Sequence, residues 1–218
     1  MTPDASSSSI ERLVAVLVVI FTVEAGKLRI LLIRRSADPF KDHWSLPGGR
    51  LLPADSLAEA ATRRLEVETG VTDVFLEQLY TFSDLDEAGS IAAAYWALVD
   101  PNRAKLPDRL EWQPRWYAVD DLPDLAFLNG NVVQYAVTRL RNKLAYSNVA
   151  YSLLAAEFTL SQLQQVYEAI LGRSMDKRNF RKRIISLDII EPTGRFSGQG
   201  RHRPAQLYAF KERRPVVF

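Results

Sequence analysis

The sequence predicts an α/β layered domain followed by a smaller domain of two helices and a β-hairpin. Three observations point there. Short β-branched runs alternate with turns through the first part of the chain and surround one long helical pattern. From Val132 the apolar period becomes helical, then returns to two strand-like pieces near the C-terminus. The charge is also divided: residues 1–149 hold 16 Lys+Arg against 20 Asp+Glu, and residues 150–218 hold 12 against 6. An acidic body with a basic C-terminal part suggests two domains, the second facing a polyanion or presenting a solvated basic face. A chain of 218 residues has room for both.

The elements follow in order. Residues 1–9, MTPDASSSS, are expected to be a mobile tail, and with no basic stretch ahead of the first apolar run no signal peptide is indicated. That run, Leu13–Phe21, is nine residues long, short of the roughly 20 that cross a bilayer. Its content of Val14, Val16, Val18, Val19 and Ile20 makes it a buried strand. LRILLIRR pairs with it through the turn EAGK, which carries Gly26. After Pro47-Gly48-Gly49 comes a helix opened by Asp55 or Ser56 and closed by Gly70. DVFLEQLYTF, IAAAYWALV and RWYAV read as further strands, and VVQYAVTRLRNKL, with Val133, Val137 and Leu140 at helical spacing, closes the first domain. Its expected limits are 10–146, and the second domain is expected over 147–218.

In the second domain FTLSQLQQVYEAILG predicts a helix with a Thr159–Gln162 capping box, an apolar face of Leu160, Leu163, Tyr167 and Ile170, and a stop at Gly172. DKRNFRKRIISLDII predicts a second helix with Asp176 as N-cap and Phe180, Ile184 and Leu187 buried. IIEPT and AQLYAF, separated by GRFSGQGRHRP, complete a winged helix-turn-helix pattern. Stepping about 100° per residue from Phe180 puts Arg178 and Lys182 on the opposite side, with Arg181 and Ser186 nearby. Apolar inside and basic outside suits a recognition helix in duplex DNA; Lys177 and Arg183, nearer the flanks, suit phosphates. The wing would add Arg195, Arg201, His202 and Arg203. A helical protein-interaction module with a solvated basic face is the alternative. The chain has no cysteine, which excludes disulfides and thiolate metal sites and fits a reducing, cytoplasmic location.

The stretch GGRLLPADSLAEAATRRLEVETGV, preceded by WSLPGG, resembles the Nudix box. Gly49 stands at its first glycine, Asp55 at its first Glu, Arg63 at its Arg, Leu65 at its apolar position, and Glu68, Gly70 and Val71 at its end. In that family three carboxylates on one helix face hold divalent cations against a diphosphate and help activate water. The matching positions here are Arg64, Val67 and Glu68, which share a face by their spacing of three and four. Valine cannot ligate a hard cation, and Arg64 puts a permanent positive charge where the cation would sit. Glu66 points off that face. Glu77 or Glu87 would make a different site. The expectation is a pocket without catalysis: no catalytic residue, no metal and no required cofactor. Arg64 either pairs with Glu68 as helix neighbours do or contacts a diphosphate itself, with Arg35 and Arg50 adding phosphate contacts. Trp44 stacks on a base or serves as a structural tryptophan.

Along nearly its whole length the chain resembles the Nudix-related transcriptional regulators, the NrtR family. The resemblance rests on PFKDHWSLPGGR, LEQLYTFSD, WYAVDDLPDLAF, FTLSQLQQVYEAILGRSMDKRNFRKRI and HRPAQLYAF. It implies a Nudix-like α/β/α sandwich followed by a small winged helix-turn-helix domain, assembled as a homodimer. It implies a repressor of NAD biosynthesis or salvage genes that binds palindromic operator DNA and is released by ADP-ribose. Relatives that respond to sugars leave a sugar-like effector as one alternative; family members with an intact box, which cleave ADP-ribose, leave an active pyrophosphatase as another. The turn after YTFSD, LDEAGS, is acidic and contains no arginine.

Overall fold

The strand β1 (Val14–Glu24) is apolar on both faces, and this sets the layering of the first domain. Side chains alternate along a strand. Val16, Val18 and Ile20 therefore face one way, into a cluster with Ala60, Ala61 and Leu65, while Val19 and Phe21 face the other, into a cluster with Val132, Val133, Ala136 and Leu140. A helix covers each face: α1 (Leu57–Thr69) on the first and α2 (Asn129–Lys143) on the second. The result is an α/β/α sandwich. The computed structural model describes residues 13–72, 75–83, 85, 89–106, 113–198 and 204–218. Residues 1–9, expected as a tail, lie outside them. Among the described residues no helix is long and apolar enough to cross a membrane.

The sheet has seven strands, with β2 (Lys27–Arg34), β3 (Trp44–Ser45), β4 (Gly48–Arg50), β5 (Leu76–Phe82), β6 (Ile91–Leu98) and β7 (Arg115–Ala118) joining β1. Its main path runs β3-β2-β1-β6-β5, with β4 paired to β1 and β7 to β2. β1 and β6 are parallel from Val14↔Ile91 to Phe21↔Leu98, and all other pairs are antiparallel. In the β1–β2 turn Ala25 and Gly26 have φ of 50° and 72°, the left-handed pair that suits the twist of a two-residue hairpin. The short strands β3 and β4 were not legible in the sequence. Each is too brief for alternation to register and exists through its partners on β2 and β1.

Ser56, not Asp55, is the N-cap of α1: its hydroxyl accepts from Glu59 N, and the Glu59 carboxylate accepts from Ser56 N. Gly70, at φ 65°, closes the helix. α2 starts three residues before Val132, at Asn129. A 3₁₀ turn (Val149–Leu153) then leads to β8 (Phe158–Thr159), α3 (Leu160–Leu171), α4 (Lys177–Ser186), β9 (Ile190–Phe196) and β10 (Gln206–Phe210). The Thr159–Gln162 capping box and the Gly172 stop are present as expected, and so is the Asp176 cap of α4. Phe180 and Ile184 are buried, while Leu187 is half-buried. The three strands pair antiparallel in the order β8-β10-β9, which makes the winged helix.

The cluster beneath α2 runs without a break through Val149–Leu154 into Leu163, Ile170, Phe180 and Phe210. Arg141 on α2 reinforces this contact, its Nε donating at 2.9 Å to the Ile170 carbonyl in the last turn of α3. A cation at a helix C-terminus satisfies an otherwise unpaired carbonyl and complements the helix dipole.

Candidate functional site

A cleft of about 220 Å³ opens beside the first half of β1. Arg35, at the end of β2, and the backbone of Gly48, Gly49 and Arg50 line one part of it; Leu46, Phe127 and Asn129 line another. Close approach requires the glycine at 48, where backbone blocks a side chain, whereas Gly49 faces only the flexible end of Arg64. A Cβ on Gly48 would lie 2.6 Å from the Val16 carbonyl oxygen, and one on Gly49 would lie 2.4 Å from Arg64 Nη2. The Arg64 guanidinium thus rests against Gly49 from the α1 side.

Arg35 is held by its own loop, Nε donating at 2.9 Å to the Pro39 carbonyl, and its guanidinium sits 4.8 Å from the centre of the Phe127 ring. Burial pulls its pKa below the ordinary value while Asp38 opposes that shift. An arginine so placed remains a cation. Asn129 is 2% exposed, and its Oδ1 accepts from the backbone N–H of Leu46 at 2.9 Å, which anchors the start of α2 to the cleft wall.

The structure brings together Arg35, Arg50 and, behind Gly49, Arg64. Glu68 is fully buried one turn along α1, with Val67 half-buried beside it. Trp44 is not among the cleft-lining residues; it is half-buried on β3, edge-on to Tyr117 at 5.0 Å with the Arg115 guanidinium 5.6 Å from its ring. Asp55 and Arg63 form a two-point pair at the mouth of α1, with Nη1 to Oδ1 at 2.9 Å, and Arg63 holds the Asp55 carboxyl below its usual range. Glu66 is exposed, and Glu77 is engaged by Lys143. Glu87 lies outside the described residues. Among the described residues no group of three or more His, Asp or Glu side chains is placed to hold a metal ion. Sequence reasoning missed Phe127 and Asn129. Asn129 could have been found as a polar residue at the start of an amphipathic helix; Phe127, at φ 54°, carries no such signal.

In the second domain Lys177, Arg178, Lys182, Arg183 and Ser186 are exposed on α4, while Arg181 is half-buried. The turn before α4 is held from α3: Met175 N donates to Glu168 Oε1 at 2.7 Å, and Gln164 Nε2 donates to the Met175 carbonyl at 2.9 Å. Gln164 Nε2 also donates to Glu168 Oε1 at 2.9 Å, and that bond first, with the one from Met175 N, holds Glu168 below the usual carboxylate range. Tyr167 meets Phe180 edge-on at 5.3 Å between the two helices, and burial pushes its phenol up to about 12. Arg195 on the wing pairs with Glu157, with Nε to Oε1 at 2.8 Å. Arg201, His202 and Arg203 lie outside the described residues. The structure therefore presents an exposed basic helix face, fixed at its start by a locked turn.

Two family models match the chain: the NUDIX domain over residues 11–137 and the NrtR DNA-binding winged helix domain over residues 150–210. The ADPR responsive transcriptional repressor NtrR of Acinetobacter baylyi is 37% identical over 198 residues, covering 88% of this chain and 79% of that one. The crystal structure of Shewanella oneidensis NrtR complexed with a 27mer DNA matches with a TM-score of 0.81 at 32% identity, over 92% of this chain and 94% of that one. The NUDIX domain of Shewanella oneidensis NrtR complexed with ADP ribose matches with a TM-score of 0.52 at 30% identity, over 59% of this chain and 88% of that one. With both domains matched in order and a repressor relative aligned across most of its length, the chain belongs to the NrtR family of Nudix-related transcriptional regulators.

Proposed function

We propose that this chain is a ligand-responsive transcriptional repressor. It binds palindromic operator DNA as a homodimer through α4 and the wing, and is released when ADP-ribose or a related ligand enters the cleft. The genes it controls are those of NAD biosynthesis or salvage. The supporting observation is the pairing in one chain of an exposed basic α4 with an arginine-lined cleft, in a fold that matches a DNA-complexed relative over 92% of its length. Residues 10–146 form the effector-binding unit and residues 147–218 the DNA-binding unit. Lys177, Arg178, Arg181, Lys182 and Arg183 contact DNA from α4, joined by Arg195, Arg201, His202 and Arg203 from the wing. Arg35 and Arg50 line the effector site, and Arg64 and Glu68 on α1 and Trp44 on β3 support it from outside the cleft. The cleft binds without hydrolysing, because Arg64 and Val67 replace two of the three helix carboxylates that the reaction needs.

The two units are physically continuous. Asn129 touches the cleft wall at one end of α2, and Ser147 Oγ donates at 2.8 Å to the Lys143 carbonyl at the other. Asn148 then binds the C-terminal segment that continues from the wing, donating to the Glu212 and Arg214 carbonyls and accepting from Val216 N. Two recognition helices of a dimer read half-sites about 34 Å apart. A ligand that lowers operator affinity a hundredfold must favour a misfit spacing by about 2.7 kcal/mol over the dimer.

The test is a mobility shift on duplex DNA from upstream of the chain's own and neighbouring genes, with and without ADP-ribose at fixed salt. A shift relieved by ADP-ribose supports the reading. A shift indifferent to ADP-ribose replaces the effector with another, sugars first. Magnesium-dependent release of AMP from ADP-ribose would overturn the non-hydrolytic reading in favour of a pyrophosphatase.

A further inference from the structure

We infer that the cleft takes its diphosphate ligand without a divalent cation, with the Arg64 guanidinium serving as the resident positive charge. This rests on the non-hydrolytic ligand-binding reading above and names the charge that makes such binding possible.

The geometry begins at Gly49. A Cβ there would lie 2.4 Å from Arg64 Nη2, 3.2 Å from Cζ and 3.4 Å from Nε. Three guanidinium atoms within contact of one point mean that the group lies across the glycine. The backbone of Gly49 lines the cleft between Gly48 and Arg50, so the charge is separated from the cleft only by a residue without a side chain. Any other residue at 49 would displace the arginine. The position of the guanidinium against the strand therefore depends on the glycine.

The surroundings do not fit a metal ion. Hard divalent cations need several oxygen ligands. On the helix face that would supply them, Val67 has none, Arg64 repels a cation, and Glu68 is the single carboxylate. No group of three acids or histidines is placed to hold a metal among the described residues. Arg35 and Arg50, on the cleft itself, can meet a diphosphate directly, and Arg64, half-buried against Gly49, sets a further fixed positive charge beside it. Guanidinium groups bind phosphate oxygens in bidentate fashion and cannot lose their charge at physiological pH. In this arrangement magnesium is a competitor: it chelates the free diphosphate and cancels the charge that the arginines recognise.

The experiment is calorimetric titration of the full-length protein with ADP-ribose, in EDTA and then in excess magnesium, for the native chain and three variants. The native chain should bind in EDTA and bind more weakly in magnesium. Arg64→Ala should weaken binding in EDTA by about tenfold to a hundredfold, the range of a charge-assisted contact. Arg64→Lys should recover part of that loss. The double variant R64E/V67E, which restores the carboxylates, should reverse the sign and bind better with magnesium than without. Should it fail to fold, Arg64→Ala and Arg64→Lys carry the test. Native binding that requires magnesium overturns the inference and leaves the repressor reading in place. So does an Arg64→Ala variant that binds as the native chain does in EDTA, the outcome expected if Arg64 only pairs within its helix. Absence of ADP-ribose binding under both conditions overturns this inference together with ADP-ribose as effector, while the DNA shift still judges the repressor.

Discussion

Asn129 Oδ1 accepts a 2.9 Å hydrogen bond from the backbone N–H of Leu46, and both residues line the cleft beside β1. The bond matters because Asn129 is also the first residue of α2, a helix of 15 residues and therefore about 22 Å long at 1.5 Å per residue. Lys143, at its far end, is buried against Phe75 and paired with Glu77 on β5. α2 is thus a rigid element pinned at both ends, one in the cleft and the other where the chain passes to the winged helix.

Replacing Asn129 by alanine should remove the hydrogen-bond partner of the buried Leu46 N–H. The expected loss of stability is about 1–3 kcal/mol, the cost of leaving a buried donor unpaired. Urea unfolding reads that loss, and titration with ADP-ribose should show weaker binding by the same variant. Unchanged stability would mean that the cleft wall does not depend on α2.

The locked turn and Tyr167 make a prediction about alkaline pH. Tyr167 is 6% exposed, and its hydroxyl has no hydrogen-bond partner among the described residues. Its folded-state pKa, about 12, lies above the ordinary 10.0. The neutral phenol is therefore favoured in the folded state, so the stability it contributes is fully present below pH 10 and is lost as pH rises through about 12. Urea midpoints followed from pH 9 to 12 should fall more steeply for the native chain than for Tyr167→Phe. Parallel curves would show that the phenol is solvated in the folded state.

Arg178 and Lys182 are exposed on α4 and face away from Phe180. If they meet operator DNA, replacing both by alanine should weaken binding and flatten its salt dependence. Each lost phosphate contact lowers the slope of log K against log salt by about 0.9. Contacts to base edges would instead relax the sequence preference at particular positions. A variant that keeps both the native slope and the native preference would move the interface off α4.

Arg213 follows β10 and donates to the carbonyls of Tyr151 and Leu154, each at 2.9 Å, and of Ala155 at 3.1 Å. These bonds fasten the segment after the wing to the 3₁₀ turn Val149–Leu153 and the residues just after it. Arg213→Ala should cost about 1 kcal/mol, since the side chain is largely exposed. Its effect should fall on function unevenly: DNA affinity drops while ADP-ribose affinity holds. Loss of both in equal measure would indicate general unfolding.

The sequence by itself determined every element whose cause is local. β1 is legible because its β-branched apolar run is continuous and long, and α3 because its apolar period of 3.6 runs long enough to register. The Thr159–Gln162 box, the Asp176 cap and the stops at Gly70 and Gly172 are legible because a cap is a contact between residues at most three or four apart. The spacing of Arg64, Val67 and Glu68 on one helix face is readable for the same reason. Only the tertiary structure decided which side chains meet across the fold. β3 and β4 exist through strands paired from elsewhere. Trp44 lies beside Tyr117 instead of lining the cleft, because β3 and β7 both flank β2. Phe127 and Asn129 enter the cleft because α2 packs on the sheet face beside it, more than 80 residues along the chain from Leu46. Arg64 rests on Gly49 because the sheet edge and the helix after it fold back on each other, an approach that no count along the chain contains. Periodicity and capping act within a few residues, whereas a binding site is closed by long-range packing.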